Sequence, residues 1–199
     1  MQCFFFHPVK KTNAGFTLIE VLVTVSILSV LLTLAAPSLQ DFFIKNNMRR
    51  IADDFNQSIF RAKNTAVSKN TCTMMCMSSS TEANAPSCDS KNDTDWQAGW
   101  IVFLNPSCDV TKKAPESAED MLEIRSAISG EYYLQAQSKT VTIPFNARGM
   151  NGLTSAAEFD LHYKSSGNKN NEKFGMNICL DALGRTRTIP SLSKCSDYK

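Results

Sequence analysis

Gly15-Phe16-Thr17-Leu18-Ile19-Glu20 opens an apolar run, VLVTVSILSVLLTLAA over residues 21–36, that stops at Pro37. From Phe16 to Ala36 there are 21 residues, and their only charge is Glu20. A helix needs about 20 apolar residues to cross hydrocarbon, so this stretch reads as a transmembrane span over 16–36. An acid near the start of such a span costs roughly 2.5–3.5 kcal/mol at bilayer depth. Glu20 therefore calls for a partner charge. Lys10 and Lys11 directly precede the run and place this end in the cytoplasm by the positive-inside rule. A secretory signal has its small cleavage-site residue after the apolar core, whereas Gly15 comes before it.

The helical pattern resumes beyond Pro37. Ile44, Met48, Ile51, Phe55, Ile59, Ala62 and Ala66 recur at spacings of three and four, one apolar stripe at the helical period. Charged residues such as Lys45, Arg49, Arg50, Asp53 and Asp54 fall mostly elsewhere on the wheel. With the same pattern on both sides, Pro37 should bend or loosen the helix rather than end it. The expectation is one helix over 16–68, on the order of 80 Å long.

The remainder, 69–199, reads as short strands between turn-rich loops. Strands are expected at TCTMMCMSS, at Trp100–Leu104, Met121–Ile128, Tyr132–Gln137, Val141–Phe145, Glu158–Tyr163, Lys173–Asp181 and Arg185–Ile189, the last closed off by Pro190. Residues 79–95 and 105–119 are polar loops. One long helix followed by many short strands makes an α+β protein, its helix packed on an antiparallel β-sheet or β-sandwich.

The six cysteines after Gly15 are Cys72, Cys76, Cys88, Cys108, Cys179 and Cys195. An even number in a domain carried across a membrane suggests disulfides. Six cysteines allow 15 pairings and sequence does not choose among them; the preferred one is a C-terminal clip from Cys179 to Cys195, closing a loop of moderate length. Cys72 and Cys76, on one strand, lie roughly 13 Å apart, too far to bridge each other. Zinc is disfavoured: no C-x-x-C pair occurs, and His162 is the only histidine after the leader. No cofactor or metal is expected.

The formal net charge of +2 says little, but its distribution is uneven. Residues 80–124 carry three basic and nine acidic groups, and residues 125–199 carry ten basic and six acidic. There is no P-loop and no nucleophile–histidine motif, so an enzyme is not expected.

Gly15-Phe16-Thr17-Leu18-Ile19-Glu20 resembles the prepilin signature of type IV pilins and type II secretion pseudopilins. The resemblance implies cleavage after Gly15 by a prepilin peptidase, which removes residues 1–15 as a leader, and methylation of the Phe16 amine. It also implies that Glu20 meets the N-terminal amine of a neighbouring subunit, which pairs a buried charge and sets the register of assembly. W-x-x-G-W-I-V-F at Trp96–Phe103 and I-P-F-N-A-R-G at Ile143–Gly149 resemble the GspH/FimT branch of minor pilins. The partners implied are other major and minor pilins in a filament. The implied location is single-pass in the inner membrane with a periplasmic domain, and extracellular once assembled.

Gly184-Arg185-Thr186-Arg187 follows the turn Asp181–Gly184. On a strand, Arg185 and Arg187 share a face about 6.6 Å apart. Two planar, permanently charged donors suit a run of phosphates, and Gly184 would let a backbone approach closely. Lys194 and Lys199 extend the positive charge, and Arg148 is a further basic candidate. Paired arginines on an edge strand also serve as solvated faces or ion-pair donors. The resemblance to FimT-like minor pilins, whose C-terminal G-R-x-R turn is associated with DNA binding in natural transformation, implies double-stranded DNA bound without sequence preference. The alternative is a type II secretion minor pseudopilin, or a priming pilin that ignores DNA.

Overall fold

A computed structural model describes residues 15–89, 95–128, 130–153, 156–164 and 173–197. Helix α1 runs from Leu18 to Ser68 and contains Pro37 without a break. Thr17 supplies its N-cap, the Oγ1 accepting the Glu20 N–H at 3.3 Å. The chain divides into two compact units, Met1–Phe42 and Phe43–Lys199. In the first, the apolar side chains of α1 are exposed, and this part of the helix is long and apolar enough to cross a membrane.

In the second unit, Met48, Ile51, Phe55, Ile59, Ala62 and Ala66 are buried and Ile44 packs at the edge of their cluster. Eight strands follow: β1 (Thr73–Met77), β2 (Trp100–Leu104), β3 (Met121–Arg125), β4 (Tyr132–Ala136), β5 (Thr142–Phe145), β6 (Ala157–Tyr163), β7 (Met176–Leu180) and β8 (Thr186–Pro190). They form two sheets, ordered β3-β2-β1-β5 and β4-β6-β7-β8, with every pairing antiparallel. Some strand ends differ from the pattern expected. β3 stops at Arg125 because the Ile128 N–H turns to the Gln97 carbonyl. β8 starts at Thr186 and includes Pro190, which is tolerated because β8 is an edge strand with no second ladder to supply.

β1 and β2 are buried throughout, and apolar but for Thr73, because both faces are covered. Met75, Met77, Trp100 and Val102 join the main core with α1. Met74, Cys76, Ile101 and Phe103 pack on the other face with Cys88. The Cys76–Cys88 disulfide pins that covering loop, and Cys72–Cys108 joins the start of β1 to the loop after β2.

Phe55 centres the main core, its ring 5.4 Å from Trp96, 5.2 Å from Trp100 and 4.9 Å from Phe159, all edge-on. Such pairs add about 0.5–1.5 kcal/mol each beyond burial. Both indole N–H groups are satisfied, Trp96 by the Thr140 carbonyl at 2.8 Å and Trp100 by Ser58 Oγ at 2.9 Å. Gly99 at φ +113 allows the turn between them, and a β-carbon there would lie 2.6 Å from the Arg125 carbonyl oxygen. This is the physical content of W-x-x-G-W. At the sheet edge, Glu123 gathers Ser58 (2.8 Å), Arg61 (3.2 Å) and Arg125 (2.7 Å), fastening β3 to α1.

Candidate functional site

The β7–β8 hairpin carries the G-R-T-R residues. Asp181-Ala182-Leu183-Gly184 is a tight turn: the Gly184 N–H donates to the Asp181 carbonyl at 3.0 Å, and the Asp181 N–H donates to the Arg185 carbonyl at 3.0 Å. Gly184 sits at φ +69, the left-handed position such a hairpin requires. Arg185 lies in the loop just before β8. Its N–H donates to Asp181 Oδ1 at 2.8 Å and its Nε to Oδ2 at 2.6 Å. Burial opposes ionisation of Asp181, but the Arg185 backbone and guanidinium donors outweigh it and hold the carboxyl below the ordinary aspartate range. The Arg185 side chain is 70% exposed and its partner 37%. Ion pairs in such surroundings contribute about 0–1 kcal/mol, so an incoming phosphate can displace the carboxylate.

Gly184 itself is buried, and the close approach it permits is to another turn of the same chain. A β-carbon on Gly184 would lie 2.6 Å from the Gly149 carbonyl oxygen and 3.0 Å from the Phe145 ring. Lys63 of α1 fixes the hairpin from beneath, its Nζ donating to the carbonyls of Leu183 (2.8 Å) and Gly184 (3.3 Å). Sequence marks Asp181 as the start of the turn but not as the partner of Arg185, and does not mark Lys63 as a partner of the turn. As that partner Asp181 is detectable only as an acid four residues before Arg185, and Lys63 sits 121 residues from the turn it holds.

Arg185 and Arg187 line one groove of about 800 Å³ together with Glu158, Cys179, Asp181 and Cys195. Arg187 pairs in register with Cys179, which the third disulfide joins to Cys195. That clip brings exposed Lys194, the residue before Cys195, to the same side of the sheet. The groove is not purely basic. Burial and the neighbouring Asp160 raise the Glu158 carboxyl above the ordinary glutamate range, against the Cys195 N–H, Asn177 and Lys194.

At the other end of the chain, Gly15 and Phe16 precede α1 and are exposed, and Glu20 stands in its first turn. Lys10, Lys11, Cys3 and Lys199 lie outside the described residues. His162 on β6 stacks on Tyr133 of β4 at 5.3 Å, and burial lowers its pKa against the pull of Asp160. All six cysteines after Gly15 are disulfide-bonded.

A long N-terminal helix with an apolar, uncovered first half, followed by two antiparallel sheets, defines a pilin-like subunit. Two family models agree: the prokaryotic N-terminal methylation motif matches residues 10–36, and type II transport protein GspH matches residues 52–184. The chain belongs to the GspH family of minor pilins and pseudopilins, subunits that assemble with other pilins. Its fold is similar to that of the type IV minor pilin FimU of Pseudomonas aeruginosa strain PAO1 in two crystal forms. One superposes with a TM-score of 0.51 at 16% identity, covering 73% of this chain and 94% of FimU. The other gives 0.51 and 16% over 76% of this chain and 95% of FimU. No curated protein matches the chain in sequence.

Proposed function

We propose that this chain is a minor type IV pilin that binds extracellular double-stranded DNA, without sequence preference, for uptake in natural transformation. The observation that carries this reading is the shared groove of Arg185 and Arg187, with Lys194 clipped beside it by Cys179–Cys195. Phosphate contacts position a protein on DNA without reading bases, so the binding is electrostatic and sequence-tolerant. Prepilin peptidase cuts after Gly15, the Phe16 amine is methylated, and Glu20 pairs with the amine of a neighbouring subunit during assembly. The subunit waits in the inner membrane through residues 16–36, its domain periplasmic, and becomes extracellular in the pilus. It performs no catalysis and needs no cofactor.

The test is a DNA titration of the full-length chain in non-ionic detergent at several salt concentrations. Arg185, Arg187 and Lys194 alone, neutralising about three phosphates, give a log–log salt slope near −2.7. Arg185→Gln with Arg187→Gln abolishes the binding; undiminished binding in that double variant would falsify the assignment. A second reading, a type II secretion pseudopilin or a priming pilin without DNA binding, is favoured by the GspH match and by the carboxylate already held by Arg185. In that case the wild-type chain ignores DNA at every salt concentration.

A further inference from the structure

Two turns from different sheets meet beside the β7–β8 hairpin, and the second carries its own arginine. Asn146–Gly149 follows β5 of the first sheet, and Asn146 Oδ1 shapes it by accepting the N–H groups of Arg148 (2.9 Å) and Met150 (3.1 Å). Gly149, at φ +74, lies against Lys63 and Val67 of α1, and its carbonyl oxygen faces Gly184. Arg148 and Arg185 are therefore each bonded to one of two glycines that approach one another. The two arginines differ in one respect. Arg185 is held by Asp181. The exposed Arg148 guanidinium has no hydrogen-bond or ion-pair partner among the described residues.

We propose that Arg148 is a further phosphate contact of the nucleic-acid interface, so that DNA is gripped from both turns at once. The proposal rests on the reading of this chain as a DNA-binding pilin and names a residue that reading does not need. Arg185 must exchange a carboxylate for a phosphate when it binds, whereas Arg148 releases nothing. The contact between Gly149 and Gly184, with Lys63 bonded beneath it, fixes the spacing of the two arginines. On this proposal a phosphate backbone laid over both turns would reach Arg148 without displacing a partner from it. Arg148 touches neither the groove nor the clip, so its contribution is separable from that of Arg187 and Lys194.

The experiment titrates a labelled 30-base-pair duplex with the full-length chain in non-ionic detergent between about 50 and 200 mM salt, the range over which phosphate contacts are counted. Wild type is compared with Arg148→Gln and with the Arg185→Gln/Arg187→Gln double variant. Four phosphate contacts give wild type a slope near −3.6, and Arg148→Gln returns it to about −2.7. The wild-type advantage over Arg148→Gln then shrinks about threefold from the lowest to the highest salt, equally on A·T-rich and G·C-rich duplexes. If Arg148→Gln matches wild type in affinity and slope while the double variant loses binding, Arg148 lies outside the interface and the proposal is overturned, with the DNA reading intact. If the double variant binds like wild type, or if wild type does not bind, the underlying reading fails and this proposal goes with it.

Discussion

Gly184 approaches Gly149 so closely that a β-carbon on the former would sit 2.6 Å from the carbonyl oxygen of the latter. The glycine of the G-R-T-R stretch thus joins one turn to another within the fold. Gly184→Ala combines backbone overlap with a left-handed φ of +69. Each such strain costs on the order of 1–3 kcal/mol. A loss of about 2–3 kcal/mol lowers the melting temperature of a domain this size by roughly 5–10 °C, measurable by circular dichroism. An unchanged melting temperature would show that the turns are free to separate.

If Arg185 contacts DNA as proposed, the Asp181–Arg185 pair sets how readily it reaches a phosphate. Asp181→Asn keeps an acceptor for the Arg185 N–H but removes the competing charge. An exposed pair is worth up to about 1 kcal/mol, so DNA affinity at low salt rises by as much as about fivefold. Fluorescence anisotropy checks this, and a fall in affinity would mean that the carboxylate orients Arg185 rather than restraining it.

The clip from Cys179 to Cys195 closes a loop with a sequence separation of 16. Removing it with Cys179→Ser and Cys195→Ser costs about 3 kcal/mol by chain entropy. It also releases the segment that carries Lys194, so DNA binding weakens even at temperatures where the double variant stays folded. Urea unfolding and DNA titration of the same sample separate the two effects.

His162 makes stability fall on mild acidification. Burial depresses its folded pKa below the ordinary 6.5, so the fold favours the neutral ring. The stabilisation is present above about pH 6.5 and is lost as pH falls through the depressed value. Glu158, whose carboxyl is raised by burial, acts in the opposite sense, nearer the carboxylate range. Unfolding free energies between pH 7.5 and 5.5 should decline in wild type and stay flat in His162→Gln, and equal slopes would exclude this histidine as the cause.

Much of the architecture is legible in the chain because it rests on local rules. The spacing from Met48 to Ala66 marks the buried stripe of α1, and β-branched and aromatic runs mark the strands. Strand ends were less accessible, since the end of β3 depends on a bond between Ile128 and Gln97. The candidate site was legible as residue types only. G-R-T-R announces two cations, but Asp181, Lys63 and Gly149 condition them through contacts between elements far apart in sequence. The disulfides show the same divide. A loop of moderate length points to Cys179–Cys195, whereas Cys72–Cys108 depends on β1 pairing with β2.

That last bridge bears on how the subunit carries force. Cys72 stands between the end of α1 at Ser68 and the start of β1 at Thr73, and its partner Cys108 follows the end of β2 at Leu104. Tension transmitted along the helix enters the sheet at this junction. The cross-link divides the load at once between two neighbouring strands, instead of peeling β1 alone from its ladder. A subunit pulled along its helix would then yield first where no sulfur bridges the parts, at the packing of α1 and the Lys63 hydrogen bonds beneath the hairpin.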